Sequence, residues 1–230
     1  MRNLIITGGI SHPFPDASAA LAEILAEQGF RSEITEDVEA GLGELARGGF
    51  DLLTVYALRW SMTQHEKYAP HRDKWSFSLS HAARATIRDH LARGGGMLGM
   101  HTAGICFDDW PEWKDLLGGA WVWGRSSHPP FGPVEIRLDA PAHPLLVGLD
   151  PFELRDEIYG NMDLVPGLTP LAHGRARGGD WHPVLWEHRV GAGRVVYDAL
   201  GHDVASLTHP IHRQIVARAA LRAARHVGWV

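Results

Sequence analysis

Cysteine is almost missing from this chain of 230 residues, which carries only Cys106. A single thiol excludes an internal disulfide framework and any zinc or iron–sulfur site built from several cysteines, and it suits a reducing cytoplasm. Basic runs are missing as well. With 22 Lys+Arg against 27 Asp+Glu the formal charge is −5, and the clustered cations that nucleic-acid binding requires are not there. Long apolar runs are also absent, since no segment approaches the roughly 20 residues that span a bilayer. The N-terminal Leu4-Ile5-Ile6 is too short to be the core of a secretion signal. Neither a nucleic acid nor a membrane is therefore expected as a partner. No internal repeat, low-complexity tract or linker-like shift interrupts residues 1–230, which read as one domain.

What the chain does hold in excess is histidine, tryptophan and glycine, with 15, 9 and 26 copies. The glycines punctuate an alternating pattern. Leu4 to Thr7 reads as a strand turning at Gly8-Gly9, and Asp16 is expected to cap a helix that stops at Gly29. Phe30 to Thr35 reads as a second strand, Val38 to Arg47 as a helix ending at Gly48-Gly49, and Phe50 to Tyr56 as a third strand. After a long polar and aromatic loop, Ser80 caps a helix to about Arg93, and Met97 to Met100 forms a fourth strand.

Strands alternating with helices imply parallel strands joined by crossovers, hence a three-layer α/β/α domain with a mostly parallel central sheet. Beyond Gly118 helices become scarce. Val134 to Leu138, Phe152 to Ile158, Val184 to Glu187 and Arg194 to Leu200 read as strands of an additional β-rich C-terminal half, closed by a helix over about His209 to Val227.

Ligands of open parallel sheets collect beyond the carboxyl ends of the strands. His12, His101 and His202 each follow a predicted strand at that edge. The run Gly94-Gly95-Gly96-Met97-Leu98-Gly99-Met100-His101 places His101 on a tight strand-to-helix turn like a nucleophile elbow. A helix N-terminus there would favour the neutral imidazole, suited to a general base or a metal ligand. The alternative is that the glycines serve close packing and His101 only caps the helix. In Asp156-Glu157-Ile158-Tyr159 the strand alternation puts Glu157 and Tyr159 on one face, as acid/base and hydroxyl donor, unless this is a solvated strand end.

His128, His143 and His182 each precede a proline that restricts the backbone, and His143 reads as part of a structural turn. Trp60, Trp110, Trp113, Trp121, Trp123, Trp181 and Trp186 fall mostly in predicted loops. There they could stack on sugar faces or form satellite hydrophobic clusters. Trp121 and Trp123 would share one strand face, covering either a substrate or the interface of a homo-oligomer. His209 and His212 stand three apart and read as surface residues. Several histidines with Glu157 could give a three-ligand, open-position site for a zinc-like divalent metal. No cofactor is certain: ligand spacing within one helix is lacking, and no G-x-G-x-x-G opens a helix in the first unit.

Ile6-Thr7-Gly8-Gly9 with His12-Pro13, the His101 elbow, Leu116-Leu117-Gly118-Gly119, His128-Pro129, His143-Pro144, Asp156 to Tyr159, and Gly191 to His202 occur in an order that resembles the ThuA-like (trehalose-utilisation) family. That family is similar in fold to class I glutamine amidotransferases, which implies a flavodoxin-like arrangement. Glutaminase chemistry needs a thiolate at the elbow, where this chain has His101, so amidotransferase activity is not expected. Cys106 lies five residues on, inside the expected helix.

The resemblance implies carbohydrate metabolism on a keto-sugar or 3-ketoglycoside, by proton abstraction leading to eliminative cleavage and hydration or to isomerisation. His101, Glu157 and His202 are the expected catalytic groups. His12, His128, Tyr159, His182, Trp123, Trp181 and Asp156 are expected to bind substrate, with His12 and His128 as orienters or ligands. A His101→Ala variant should then lose turnover while keeping its thermal stability. Two other readings stay open: a non-catalytic sugar-binding accessory protein, and a metal-dependent hydrolase of a small polar substrate.

Overall fold

Strand β1 (Arg2–Gly8) is buried at every position from Asn3 onward because both of its faces are covered. It pairs in parallel with β2 (Arg31–Thr35) on one side and β3 (Leu52–Ala57) on the other. Helices α1 (Phe14–Ala26) and α2 (Val38–Arg47) make the two crossovers. A long connection carrying the single turn α3 (Arg72–Trp75) leads to α4 (His81–Ala92) and then to β4 (Gly96–Met100), parallel to β3.

The remaining elements are α5 (Glu112–Leu117), β5 (Gly119–Ala120), β6 (Gly132–Leu138), β7 (Phe152–Asp156), β8 (Asp163–Leu164), β9 (Ala172–Ala176), β10 (His182–Val190), β11 (Gly193–Asp198), α6 (Val204–Thr208) and α7 (Pro210–Ala224). This computed structural model describes residues 1–224, so the expected helix end at Val227 lies outside the described residues.

One sheet of nine strands runs in the order β2-β1-β3-β4-β11-β10-β9-β6-β7. The first five are mutually parallel and the last four extend them antiparallel. The β-rich half expected after Gly118 is therefore a continuation of the same sheet. Helix α1 packs with α6 and α7, and α2 packs with α4.

Caps and close packing explain the local boundaries. Asp37 and Ser80 accept hydrogen bonds from the backbone N–H of Ala40 and Ala83, fixing the starts of α2 and α4. Asp16 is not a cap: α1 begins two residues earlier at Phe14 and has no side-chain cap. Gly96 is required by packing, because a Cβ there would come within 2.3 Å of the Ala223 carbonyl oxygen on α7.

Two expectations about polar and aromatic residues fail for the same reason, core demand. Trp113 lies in α5 and Trp186 in β10, both fully buried, and Trp110 is 5% exposed, so these three are core residues. His212, expected at the surface, is fully buried on α7 and paired with Asp198.

Candidate active site

Three loops at the carboxyl ends of the parallel strands, with the chain leaving β7, converge on one point. His12 follows β1, His101 follows β4, His202 follows β11, and Glu157 and Tyr159 follow β7. His101 has φ +44 and opens a 3-10 turn, His101–Ile105, so the elbow expected from the glycine run is present. That turn of five residues supplies no extended helix dipole. The His101 imidazole is instead kept neutral by burial and by the neighbouring His12, which push its pKa well below the ordinary histidine value. Cys106 closes the turn rather than lying inside a helix, and burial pushes its thiol up to about 12, removing it as a nucleophile.

The ring orientations are fixed by backbone acceptors. His101 Nδ1 donates to the Ala199 carbonyl at 2.7 Å, and His12 Nδ1 donates to the Ile10 carbonyl at 3.2 Å. The two Nε2 atoms then face each other at 3.1 Å, and the Tyr159 hydroxyl, 3.1 Å from His101 Nε2, donates to it. Glu157 stands among four histidines. Its Oε2 lies 3.8 Å from His12 Nε2, 3.7 Å from His101 Nε2 and 3.5 Å from His202 Nδ1, while Oε1 lies 3.6 Å from His128 Nδ1.

Burial alone would raise the Glu157 carboxyl. The surrounding imidazoles, His12 and His202 first and then His101 and His128, override it, holding the group far below the usual carboxylate range. Burial lowers His202, but Glu157 outweighs it and the net shift is upward. Burial, then Glu157, keep the Tyr159 phenol protonated as a donor.

Asp156 was expected to bind substrate and does not reach it. It is fully buried behind His101, at 3.9 Å from Nδ1. Its Oδ2 accepts hydrogen bonds from the Gly201 N–H at 2.8 Å, the His202 N–H at 3.4 Å and the Ser206 hydroxyl. Asp156 thereby positions the loop that carries His202. His212 completes this buried layer, with Nδ1 2.8 Å from the Ser206 carbonyl and Nε2 3.0 Å from Asp198 Oδ2.

Above the cluster opens a cavity of 360 Å³ lined by His12, His128, Glu157 and Tyr159 at its polar end. Trp60, Tyr68, Trp121 and Trp123 form aromatic walls, with Trp60 stacked on Trp123 at 6.0 Å. The indole N–H groups of Trp121 and Trp123 are buried without a hydrogen-bond partner in the chain.

His101 has no exposed surface and does not reach a substrate in this arrangement, unlike its expected role as the substrate's base. Nor does its truncation leave stability untouched. An alanine at 101 would leave the buried Ala199 carbonyl without its donor, a cost of about 1–3 kcal/mol.

Trp181 and His182 do not join the site. Trp181 lies between the guanidinium groups of Arg137 and Arg175, and His182 packs on Gly160. Sequence reasoning missed Lys67, Tyr68 and His71, which line the cavity from the connection between β3 and α4. The available signal was length, because connections longer than about 12–15 residues are usually functional. Replacing Trp123 with Ala is expected to weaken ligand binding about 2- to 12-fold, the worth of one aromatic stacking contact. Trp181→Ala should leave binding unchanged. Isothermal titration of both variants checks the contrast.

Sheet and cluster together define an α/β protein with a histidine–glutamate crevice at the carboxyl edge of its parallel strands. Among proteins this chain belongs to the ThuA family, described as trehalose utilisation, which matches residues 2–222. Its fold is similar to that of a ThuA-like protein from Parabacteroides merdae, 18% identical, with a TM-score of 0.77 over 100% of this chain and 92% of that one. A ThuA-like protein from Bacteroides uniformis is 17% identical, with a TM-score of 0.68 over 97% of this chain and 91% of that one. A cytoplasmic protein from Salmonella typhimurium LT2 is 14% identical, with a TM-score of 0.65 over 98% of this chain and 100% of that one. No curated protein matches the chain significantly. Among the described residues no helix is long and apolar enough to cross a membrane.

Proposed function

We propose that this protein is a carbohydrate-processing enzyme that removes a proton from the carbon beside the carbonyl of a keto-sugar or 3-ketoglycoside, with Glu157 as the base. The observation that carries this is an ionised carboxylate ringed by four histidines at the floor of an aromatic-walled cavity. A carbonyl at C3 acidifies the C2–H, so a positioned carboxylate can remove it as the enediolate forms. Electrons returning from that enediolate expel the glycosidic oxygen at C1, which takes a proton as it leaves. Water then adds to the resulting double bond. Return of a proton to the enediolate on the other carbon would isomerise the sugar instead.

The aromatic walls support a sugar over other polar substrates, because pyranose C–H faces stack on rings. His101 acts in this reading by fixing His12 and Tyr159 from beneath. The order β2-β1-β3-β4-β11 supports a flavodoxin-like, three-layer arrangement for the parallel half, and the continuous sheet supports a single domain. A cytoplasmic setting is supported by the lone buried thiol and by the description of the Salmonella relative.

The test is incubation with 3-keto-disaccharides in deuterated water, followed by NMR. Loss of the C2–H signal with release of a monosaccharide is the expected result. Exchange without cleavage would favour isomerisation. Saturable binding with neither would overturn the enzyme reading in favour of a sugar-binding accessory protein.

A further inference from the structure

The cluster holds an electrostatic mismatch that its own protons do not resolve. Carbonyl oxygens only accept hydrogen bonds, so the ring nitrogens of His12 and His101 that face Ile10 and Ala199 must both carry hydrogen. In the neutral rings both Nε2 atoms are then lone pairs, aimed at each other across 3.1 Å. A third nitrogen, His202 Nδ1, is buried without a hydrogen-bond partner and lies 3.5 Å from Glu157 Oε2. Two imidazole lone pairs, one of them also met by the Tyr159 hydroxyl, a third ring nitrogen without a partner and a carboxylate oxygen converge on one point, an arrangement that a cation would satisfy.

We propose that His12, His101, His202 and Glu157 bind one divalent transition-metal ion of the zinc class. This deepens the carbohydrate reading by supplying a Lewis acid at the floor of the same cavity. The four donor atoms lie within 4.8 Å of one another. A tetrahedral site with bonds of about 2.0–2.2 Å has edges of about 3.3–3.6 Å. Four of the six separations, 3.1, 3.5, 3.7 and 3.8 Å, bracket that value, and all six fall within 4.8 Å.

Imidazole and carboxylate donors select zinc, cobalt, nickel or iron over magnesium or calcium, which prefer all-oxygen sites. The carbonyl partners of His12 and His101 are the outer contacts that metal-bound histidines characteristically keep. Burial of His101, which bars it from substrate, suits a ligand. Glu157 Oε1, facing His128, stays available for the proton, so one carboxylate serves both purposes.

The experiment is titration of Co²⁺ into protein purified without a histidine tag and stripped by chelator. One equivalent should bind, with the visible absorption bands of a tetrahedral ion, and added Zn²⁺ should displace it. His202→Ala and Glu157→Gln should each lower the affinity by about 10-fold or more. Tyr159→Phe should not lower it, because the phenol competes with the ion for His101 Nε2. Circular dichroism identifies any variant that has not folded, and the pair keeps one ligand change readable.

Failure of wild-type protein to bind a stoichiometric ion would overturn the proposal, leaving a shared proton between His12 and His101. Binding that both ligand variants retain would overturn it as well, placing the ion on surface histidines. Sugar chemistry is a separate readout. One bound Co²⁺ without keto-sugar turnover upholds the metal site and overturns the carbohydrate reading, whereas turnover in protein that binds no ion does the reverse.

Discussion

Glu157→Gln is expected to lower kcat on a 3-ketoglycoside by about 10²- to 10⁴-fold, the range for loss of a positioned base. The substitution keeps the shape of the side chain and removes only its charge and basicity. Because Glu157 is, among the described residues, the one carboxylate that both lines the cavity and touches the histidine cluster, no neighbour there can take over its task. Asp156 is the nearest alternative in sequence, but it is fully buried and committed to Gly201, His202 and Ser206. The melting temperature should fall by only a few degrees. The histidines pull Glu157 below the ordinary carboxylate range, so its ionised form favours the native state and the amide forgoes that gain. Full activity in a folded Glu157→Gln protein would refute the assignment of the base.

His212→Ala should be strongly destabilising, at about 3–5 kcal/mol, because it leaves the buried Asp198 carboxylate without its cation. At about 2–4 °C per kcal/mol for a chain of this size, the melting temperature should drop by about 6–20 °C. The loss should depend on pH in a definite direction. Burial lowers His212, but Asp198 and the Ser206 carbonyl outweigh it, so the folded pKa is raised.

A raised histidine contributes stability that is fully present below its unfolded pKa of about 6.5 and is lost as pH rises through the folded value. The gap between wild type and His212→Ala should therefore be widest under mildly acidic conditions and narrow at alkaline pH. Thermal melts at a series of pH values check this. A gap that stays constant with pH would show that His212 contributes by filling space and not by charge.

Local chemistry made much of this protein legible. The α/β alternation from Leu4 to Met100 could be read because glycines follow α1, α2 and α4 and because apolar residues mark β1, β3 and β4, and the boundaries of α2 follow residue for residue. His12, His101 and His202 could be placed at one edge because parallel strands put their carboxyl ends together. Strand alternation pairs Glu157 with Tyr159, but β7 ends at Asp156, and it is the chain beyond the strand that brings both to the cavity.

Failures of the reading concentrate where a residue's meaning depends on distant neighbours. Trp181 and Trp123 carry the same indole in similar loops, yet one lies between Arg137 and Arg175 and the other stacks on Trp60 in the cavity wall. His212 and His209 sit on the same turn spacing, yet only His212 meets a buried aspartate.

The sequence by itself determined the family, the parallel half of the sheet and the group of residues at its edge, because these depend on patterns a few residues long. Only the tertiary structure decided that Glu157 and not His101 faces the cavity, that Asp156 belongs to the layer beneath, and that two imidazole lone pairs meet at 3.1 Å. Burial and tautomer arise from contacts between segments as far apart as 101 and 199, and no local pattern records them. The single cysteine kept the meaning its isolation suggested: buried at the end of the elbow turn with its thiol pushed up to about 12, Cys106 is part of the packing.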